Sequence, residues 1–271
     1  MQRDSISDSL TKEDIVAYIE AELNADFGHE LCFILVEGAS DVKFVRRVFA
    51  EHVVPYESFA GKNGLTELIE DGSIRDERVI AIRDRDYVDP GTLPERMFVY
   101  DTCCLEMMLL KNRDVLQGFC SVYCEEDGSG SALLQQALRA LSPYSVARRK
   151  NEEQGLGINF EKAGFGDLVQ RGGEFPVDLL FDRVRIPEEL RAACREEACE
   201  LSVEELYEIT NGHDICRFLG GIADEGNGKI LGEAKVRNVL LCSYRKEDFR
   251  QTRLYDAIRT YQTWYGLYYV E

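Results

Sequence analysis

Two apolar runs dominate what this chain can fold into, and both end in acid. Leu31–Val36 closes on Glu37-Gly38, and Arg78–Ile82 closes on Arg83-Asp84-Arg85-Asp86. Short unbroken runs of branched and aromatic side chains read as strands covered on both faces, the pattern of a parallel sheet between helices. The intervening sequence agrees. Thr11 is placed to cap a helix through about Leu23, with Asp14 in its first turn and Ile15, Ile19 and Leu23 on one face. Ser40 is placed to cap a second helix carrying Val42, Phe44, Val45, Val48 and Phe49. Val53–Phe59 reads as a strand, Gly61-Lys62-Asn63-Gly64 as a turn, Leu65–Ile69 as the start of a short helix, and Arg96–Tyr100 as a fourth strand. Strands separated by helical stretches predict parallel crossover units of an α/β sheet.

After about Leu110 the pattern becomes helical. Helices are expected over Ser131–Ala147, Pro187–Glu200, Val203–Thr210, Asp214–Ala223, Gly232–Leu241 and Asp248–Tyr265, with Asn151–Gly173 glycine-rich and irregular. The expected organisation is an N-terminal helix in residues 1–29, an α/β core in 30–125 and a mainly helical region in 126–271.

Composition narrows the function classes. With 271 residues and 45% hydrophobic content the chain can bury a sizeable core. No apolar run approaches the ~18 residues of a membrane span, and Met1–Ser9 is polar and acidic, unlike a secretory leader, so a cytoplasmic protein without membrane contact is expected. The nine cysteines include no Cys-x-x-Cys pair and there are only three histidines, which favours reduced, buried thiols over a zinc site. The net charge of −18, concentrated in residues 1–130, argues against a free-standing nucleic-acid binder. It fits a divalent metal in the first half or a partner with a positive surface.

Ligands of open α/β sheets gather beyond the carboxyl ends of the strands, and Glu37 stands at such an end. On an extended chain residues two apart share a face, so Asp84 and Asp86 would point together with Arg85 turned away. If the two strands are neighbours, three carboxylates converge. Such a cluster repels itself, and a hard cation, Mg²⁺ or Mn²⁺ in its place, resolves the conflict. An ion there can activate water and stabilise charge on a phosphate under attack.

With V-E-G at 36–38 and I-R-D-R-D at 82–86, residues 30–110 resemble the TOPRIM core of topoisomerases, bacterial primases and OLD-type nucleases. The metal-site residues of that family fall on Glu37, Asp84 and Asp86. Gly61-Lys62-Asn63-Gly64, Tyr100-Asp101, Leu105-Glu106 and Asn211-Gly212-His213-Asp214 extend the likeness to the small TOPRIM proteins encoded beside ABC-type ATPases, among them the toxin subunit of the PARIS anti-phage system. The resemblance implies a nuclease restrained by an ATPase partner until infection is sensed, tRNA as its target, and a homodimer after release. Two departures favour hydrolysis over strand passage. Position 88 is Val where topoisomerases carry a third aspartate, and the chain has no room for a separate domain bearing a nucleophilic tyrosine.

Around this core several residues are candidates beside plainer readings. The resemblance makes Glu106 a candidate for an additional catalytic acid. It is otherwise a solvated helix carboxylate. Lys62 is a candidate for contact with the scissile phosphate, or else a surface lysine. Asp41 and Asp101 read as helix caps, and His213 as a helix-start residue beside a capping Asp214. Arg148-Arg149-Lys150 and the Arg- and aromatic-rich C-terminus, with Arg250 and Arg253, suit RNA through phosphate contact and stacking. The aromatics suit a packed helix equally. The expected function is a Mg²⁺-dependent endonuclease acting on tRNA as a toxic defence effector. A DNA-nicking OLD-like nuclease and a non-catalytic sensing or scaffold subunit are the alternatives.

Overall fold

The computed structural model describes residues 11–124, 130–163, 168–169, 175–223 and 230–271. Its first part alternates helix and strand: α1 (Lys12–Ala25), β1 (Cys32–Val36), α2 (Ala39–Val48), β2 (Val53–Glu57), α3 (Gly61–Glu70), β3 (Val79–Arg83) and β4 (Met97–Val99). The strands form one sheet in the order β2-β1-β3-β4, parallel throughout. β1 is central, with Phe33 opposite Val79 and Val36 opposite Ile82. All five residues of β1 and of β3 are buried, as the unbroken apolar runs require.

The period of two sends alternate side chains to opposite faces. Phe33, Leu35, Val79, Ala81 and Met97 meet Ile15 and Ile19 of α1 and Leu65 and Leu68 of α3. On the α2 side, the Phe44 ring lies 5.7 Å from Tyr100 and 5.5 Å from Phe249, edge to face in both pairs. Thr11 and Asp14 form a reciprocal capping box at the start of α1, so this helix begins where the sequence places it.

Three local expectations are corrected. Ser40 does not cap α2. The helix starts from the strand tip with Gly38 as N-cap, its carbonyl accepting from the Asp41 and Val42 N–H groups, so Ser40 falls inside the first turn. Gly61–Gly64 is the opening turn of α3 and not a separate loop. A Cβ on Gly64 would lie 2.3 Å from Ser58 Oγ, so only glycine lets this turn approach the end of β2 so closely. The helix expected over Asp248–Tyr265 is two, a short α12 (Lys246–Phe249) and α13 (Arg253–Tyr265), because Thr252 Oγ1 accepts the Tyr255 N–H and caps the second. Asp101 completes that cap, accepting the Arg253 N–H at 2.8 Å and the Leu254 N–H at 2.9 Å.

Between β4 and α12 the chain is helical: α4 (Leu105–Lys111), α5 (Arg113–Tyr123), α6 (Gly130–Gln154), α7 (Val177–Val184), α8 (Glu188–Glu200), α9 (Val203–Ile209), α10 (Gly212–Ile222) and α11 (Glu233–Ser243). α6 is the axis of this group, with α5, α7, α8, α9 and α10 against it. It runs through Pro143, whose missing N–H would have served the Arg139 carbonyl. The Ser142 hydroxyl donates to that carbonyl at 2.8 Å instead. α6 also runs past Ala147 into the stretch expected to be irregular. Of that stretch, residues 164–167 and 170–173 lie outside the described residues, and Phe160–Ala163 is a short 3-10 turn.

The chain separates into two compact units at 101/102 and 244/245, the first joining the residues up to Asp101 to Arg245–Glu271, the second being Thr102–Tyr244. The change expected at 125/126 lies inside the second unit. The return of the C-terminal segment to the first unit has a local cause, since Tyr261 of α13 sits edge-on to Phe98 of β4, ring centres 5.7 Å apart. Among the described residues no helix is long and apolar enough to cross a membrane.

Leu35→Ala removes a fully buried side chain from the central strand and should lower stability by about 2–5 kcal/mol. Asp101→Ala, which loses a cap and an exposed contact with Arg253, should cost about 1–2 kcal/mol. Urea unfolding of the two variants checks both the size and the order of these effects.

Candidate functional site

Because β1 and β3 are neighbours with Val36 opposite Ile82, Glu37 leaves the sheet level with Arg83. The Asp84 N–H donates to Glu37 Oε1 at 3.0 Å across the 47-residue separation. The two acidic strand tips therefore meet, as the sequence requires if the strands are adjacent.

The reason Asp84 and Asp86 share this edge differs from the expected one. Strand alternation does not reach them, since β3 ends at Arg83. The chain then turns, the Val88 N–H donating to the Arg85 carbonyl, and Asp86 takes left-handed backbone with φ 49°. Aspartate is among the few side chains that tolerate this region, and such conformations gather at functional sites.

Lys62, in the first turn of α3, places Nζ 3.1 Å from Asp86 Oδ2. The Arg83 guanidinium stands between the acids, with Nη2 3.5 Å from Asp86 Oδ2 and Nε 3.9 Å from Glu37 Oε1. Its Nε also donates to the Asp84 carbonyl at 3.0 Å. On the other flank, Asp41 of α2 accepts a 2.6 Å hydrogen bond from the fully buried Tyr100 hydroxyl. Burial, followed by the charge of Asp41, holds that phenol well above its ordinary pKa.

The Glu37 carboxyl is pushed up to about 7, by burial first and then by the negative charges of Asp86 and Asp41, against the opposing pull of Arg83 and the Asp84 N–H. Lys62 and Arg83 thus do not offset the acidic surroundings of Glu37. As the side chains stand, no three Asp, Glu, His or Cys among the described residues form a metal-holding group, Asp86 being engaged by Lys62 and Arg83. The donors are nevertheless carboxylate oxygens, the set a hard divalent ion takes, and the part of the Glu37 shift that follows burial comes from the Asp86 and Asp41 charges, which such an ion would offset. On donor chemistry the residues fit.

The remaining candidates are held by residues of opposite charge. Glu106, in the second unit, is buried on α4 with Arg237 Nε 2.8 Å from its Oε1. A Cβ on Gly212 would lie 2.1 Å from Glu106 Oε2, so glycine at the head of α10 makes room for this carboxylate. Its environment is an internal ion pair, not the solvated helix face. Arg148 grips the buried Asp214 in a fork, with Nε to Oδ2 at 2.6 Å and Nη2 to Oδ1 at 3.0 Å. Arg149 pairs with Glu197 and Glu153, and Lys150 reaches Glu197 at 2.6 Å. Arg250 lies 3.7 Å from the Glu271 carboxylate, and Arg253 beside Asp101. Asn211, not Asp214, caps α10, its side chain accepting the His213 and Asp214 N–H groups, and His213 Nδ1 faces Glu233.

Two residues of the acidic edge escaped assignment from sequence. Arg83 sits inside the I-R-D-R-D signature, where an arginine directly after an apolar strand run was the available signal. Tyr100 is marked only by the Tyr100-Asp101 likeness and given no role, because its reach to Asp41 depends on β4 lying beside β3.

No protein-family model matches the chain, and a comparison with curated proteins likewise finds no match.

Glu37 gives stability a defined pH dependence. Its ordinary pKa is 4.5 and its folded value about 7, so between these the folded chain holds a proton that the unfolded chain has lost. Stability then falls as pH rises through that window and levels off above it. Glu37→Gln should match the parent near pH 4.5 and exceed it at pH 8 by a few kcal/mol, at ~1.4 kcal/mol per pH unit between the two values. Urea unfolding in EDTA at the two pH values checks this. An equal difference at both would show that Glu37 is not the group responsible.

Proposed function

We propose that this chain is a Mg²⁺-dependent endonuclease built on a TOPRIM-like core. The observation that carries the reading is that a half-buried Glu37 accepts the Asp84 N–H at the carboxyl edge of adjacent parallel strands, within reach of the Asp86 charge, where α/β folds place their ligands. Glu37, Asp84 and Asp86 would hold the ion, with Asp86 turning from Lys62 and Arg83 to join. Mn²⁺ would be accepted by the same oxygens. When bound, the ion supplies charge stabilisation at the phosphate under attack and acidifies the attacking water.

The chain's own groups do the rest. Lys62, once released from Asp86, orients a non-bridging phosphate oxygen as a point charge. Arg83 keeps Glu37 and Asp86 from separating under their mutual repulsion. Tyr100 fixes the Asp41 carboxylate through its hydroxyl, which keeps that charge close to Glu37. Glu106, held by Arg237 within the second unit, is assigned no step.

The sequence resemblance extends the proposal to tRNA as substrate, to an ABC-type ATPase that restrains the chain, and to a homodimer once released. The acidic first half supports docking on a positive partner surface.

The test is purified protein incubated with tRNA, and separately with supercoiled plasmid, in Mg²⁺, Mn²⁺ or EDTA. Metal-dependent scission of tRNA is expected, and loss of at least ~100-fold in Glu37→Gln, with far-UV circular dichroism unchanged. Plasmid nicking instead would move the substrate to DNA. Full activity in folded Glu37→Gln would sink the assignment of Glu37 to catalysis, and no cleavage of either substrate by the parent chain in any metal would leave a sensing or scaffold role.

Lys62→Ala should have two opposed effects. Cleavage at saturating metal should fall by about 10-fold or more, as a phosphate contact is lost. The Mg²⁺ concentration for half-maximal cleavage should also fall, because Nζ no longer competes for Asp86. Metal titration of the cleavage rate reads both.

A further inference from the structure

A second feature adjoins the acidic edge within the first unit. A cleft of about 370 Å³ opens between the edge strand β4 and the head of α13, within the ~300–1,000 Å³ range of small-ligand sites. Its walls are mainly apolar, with Leu93, Phe98 and Tyr100 among them, and Arg85 and Arg253 bring positive charge to its lining. The acids nearby are committed to the fold. The Asp101 carboxylate accepts the first two N–H groups of α13, and Glu95 accepts the Tyr265 hydroxyl at 2.9 Å.

The cleft is joined to the carboxylates through two residues. Arg85 stands between Asp84 and Asp86 in the chain, and Tyr100 both lines the cleft and donates its hydroxyl to Asp41. A ligand seated here therefore has its neighbouring groups at the acidic edge.

We propose that this cleft receives one unstacked nucleobase of a single-stranded nucleic acid, with Arg85 and Arg253 on the adjoining phosphates. The inference rests on the nuclease reading only for what lies next door. The cleft's own features are an apolar slot with one partly exposed aromatic ring, Phe98, and two guanidinium groups, the groups with which proteins hold a splayed base and its backbone. A base in a duplex is stacked on both sides and is not presented to such a slot. The cleft thus selects unpaired segments and sets the phosphate beside the seated base against Glu37, Asp84 and Asp86.

The experiment uses the full chain in EDTA, so that binding is read without cleavage. Fluorescence anisotropy follows a labelled single-stranded RNA of about 12 nucleotides, the same sequence as DNA, the RNA in duplex form, and AMP as competitor. Single strands are expected to bind at least ~10-fold tighter than the duplex. Ala257→Trp places a large side chain in the cleft from an exposed position of α13 and should weaken single-strand binding by about 10- to 100-fold. Arg253→Ala should weaken it less and lower the slope of log K against log salt by about 0.7.

Unchanged binding in folded Ala257→Trp overturns the proposal, as does equal affinity for the duplex. AMP competing as strongly as the oligonucleotide assigns the cleft to a free nucleotide and overturns the strand. If Ala257→Trp loses its circular dichroism spectrum, the salt slope of Arg253→Ala decides, and an unaltered slope overturns the proposal. The two readings fail separately. Metal-dependent cleavage that ignores Ala257→Trp sinks the cleft and spares the nuclease. Single-strand binding that Ala257→Trp abolishes, with no cleavage in any metal, does the reverse.

Discussion

A carboxylate at the tip of the central strand is the constraint around which the first unit is arranged. Glu37 follows five consecutive buried residues, so the chain carries it to the sheet edge with no choice of surroundings. Removing an ionised carboxylate from water is costly unless charge and hydrogen bonds compensate. Here compensation is partial. Arg83 and the Asp84 N–H favour the anion, while burial and the charges of Asp86 and Asp41 oppose it and prevail. A group in that condition is poised for proton transfer or for a cation.

The parallel sheet explains how so many polar groups reach one place. Each strand ends at the same edge, and each element that follows contributes there: α2 brings Asp41, α3 brings Lys62, and the segments after β3 and β4 bring Asp86 and Tyr100. Two backbone features refine the aim. Gly64 lets α3 settle on Ser58, which sets the turn bearing Lys62, and the left-handed conformation of Asp86 folds its carboxylate back toward the lysine. Tyr100 belongs to both places, lining the neighbouring cleft and donating its hydroxyl to Asp41 at this edge.

The second unit shows why cations in a sequence are a poor guide to phosphate binding. Arg148 and Asp214 form a forked pair with the acid almost wholly buried, and Arg148 lies over the Tyr144 and Phe160 rings. Glu106 of α4, Arg237 and Glu233 of α11 and Arg217 of α10 continue a chain of paired charges, with His213 Nδ1 against Glu233. Truncating one member of such a pair strands the other, which gives these residues a reason to be present that owes nothing to a substrate.

Legibility from the sequence followed the range of the forces involved. Apolar runs of five, period-two burial and the Thr11 capping box are local, and they determined the four strands, their parallel α/β arrangement and the acids at the tips of β1 and β3. The start of α2, the opening turn of α3 and the break before α13 depend on which backbone groups find partners, and nearby sequence does not specify that. Strand order alone decided that Glu37 meets the Asp84 amide. The turn after β3, not alternation along it, delivered Asp86, and the fate of Arg148, Arg149, Lys150 and Glu106 hung on oppositely charged partners up to 131 residues away in the chain. Hydrophobic periodicity is written into neighbouring residues, whereas the pairing of a buried charge is settled only when distant segments close around it, because the dielectric that makes the pairing matter exists only in the folded protein.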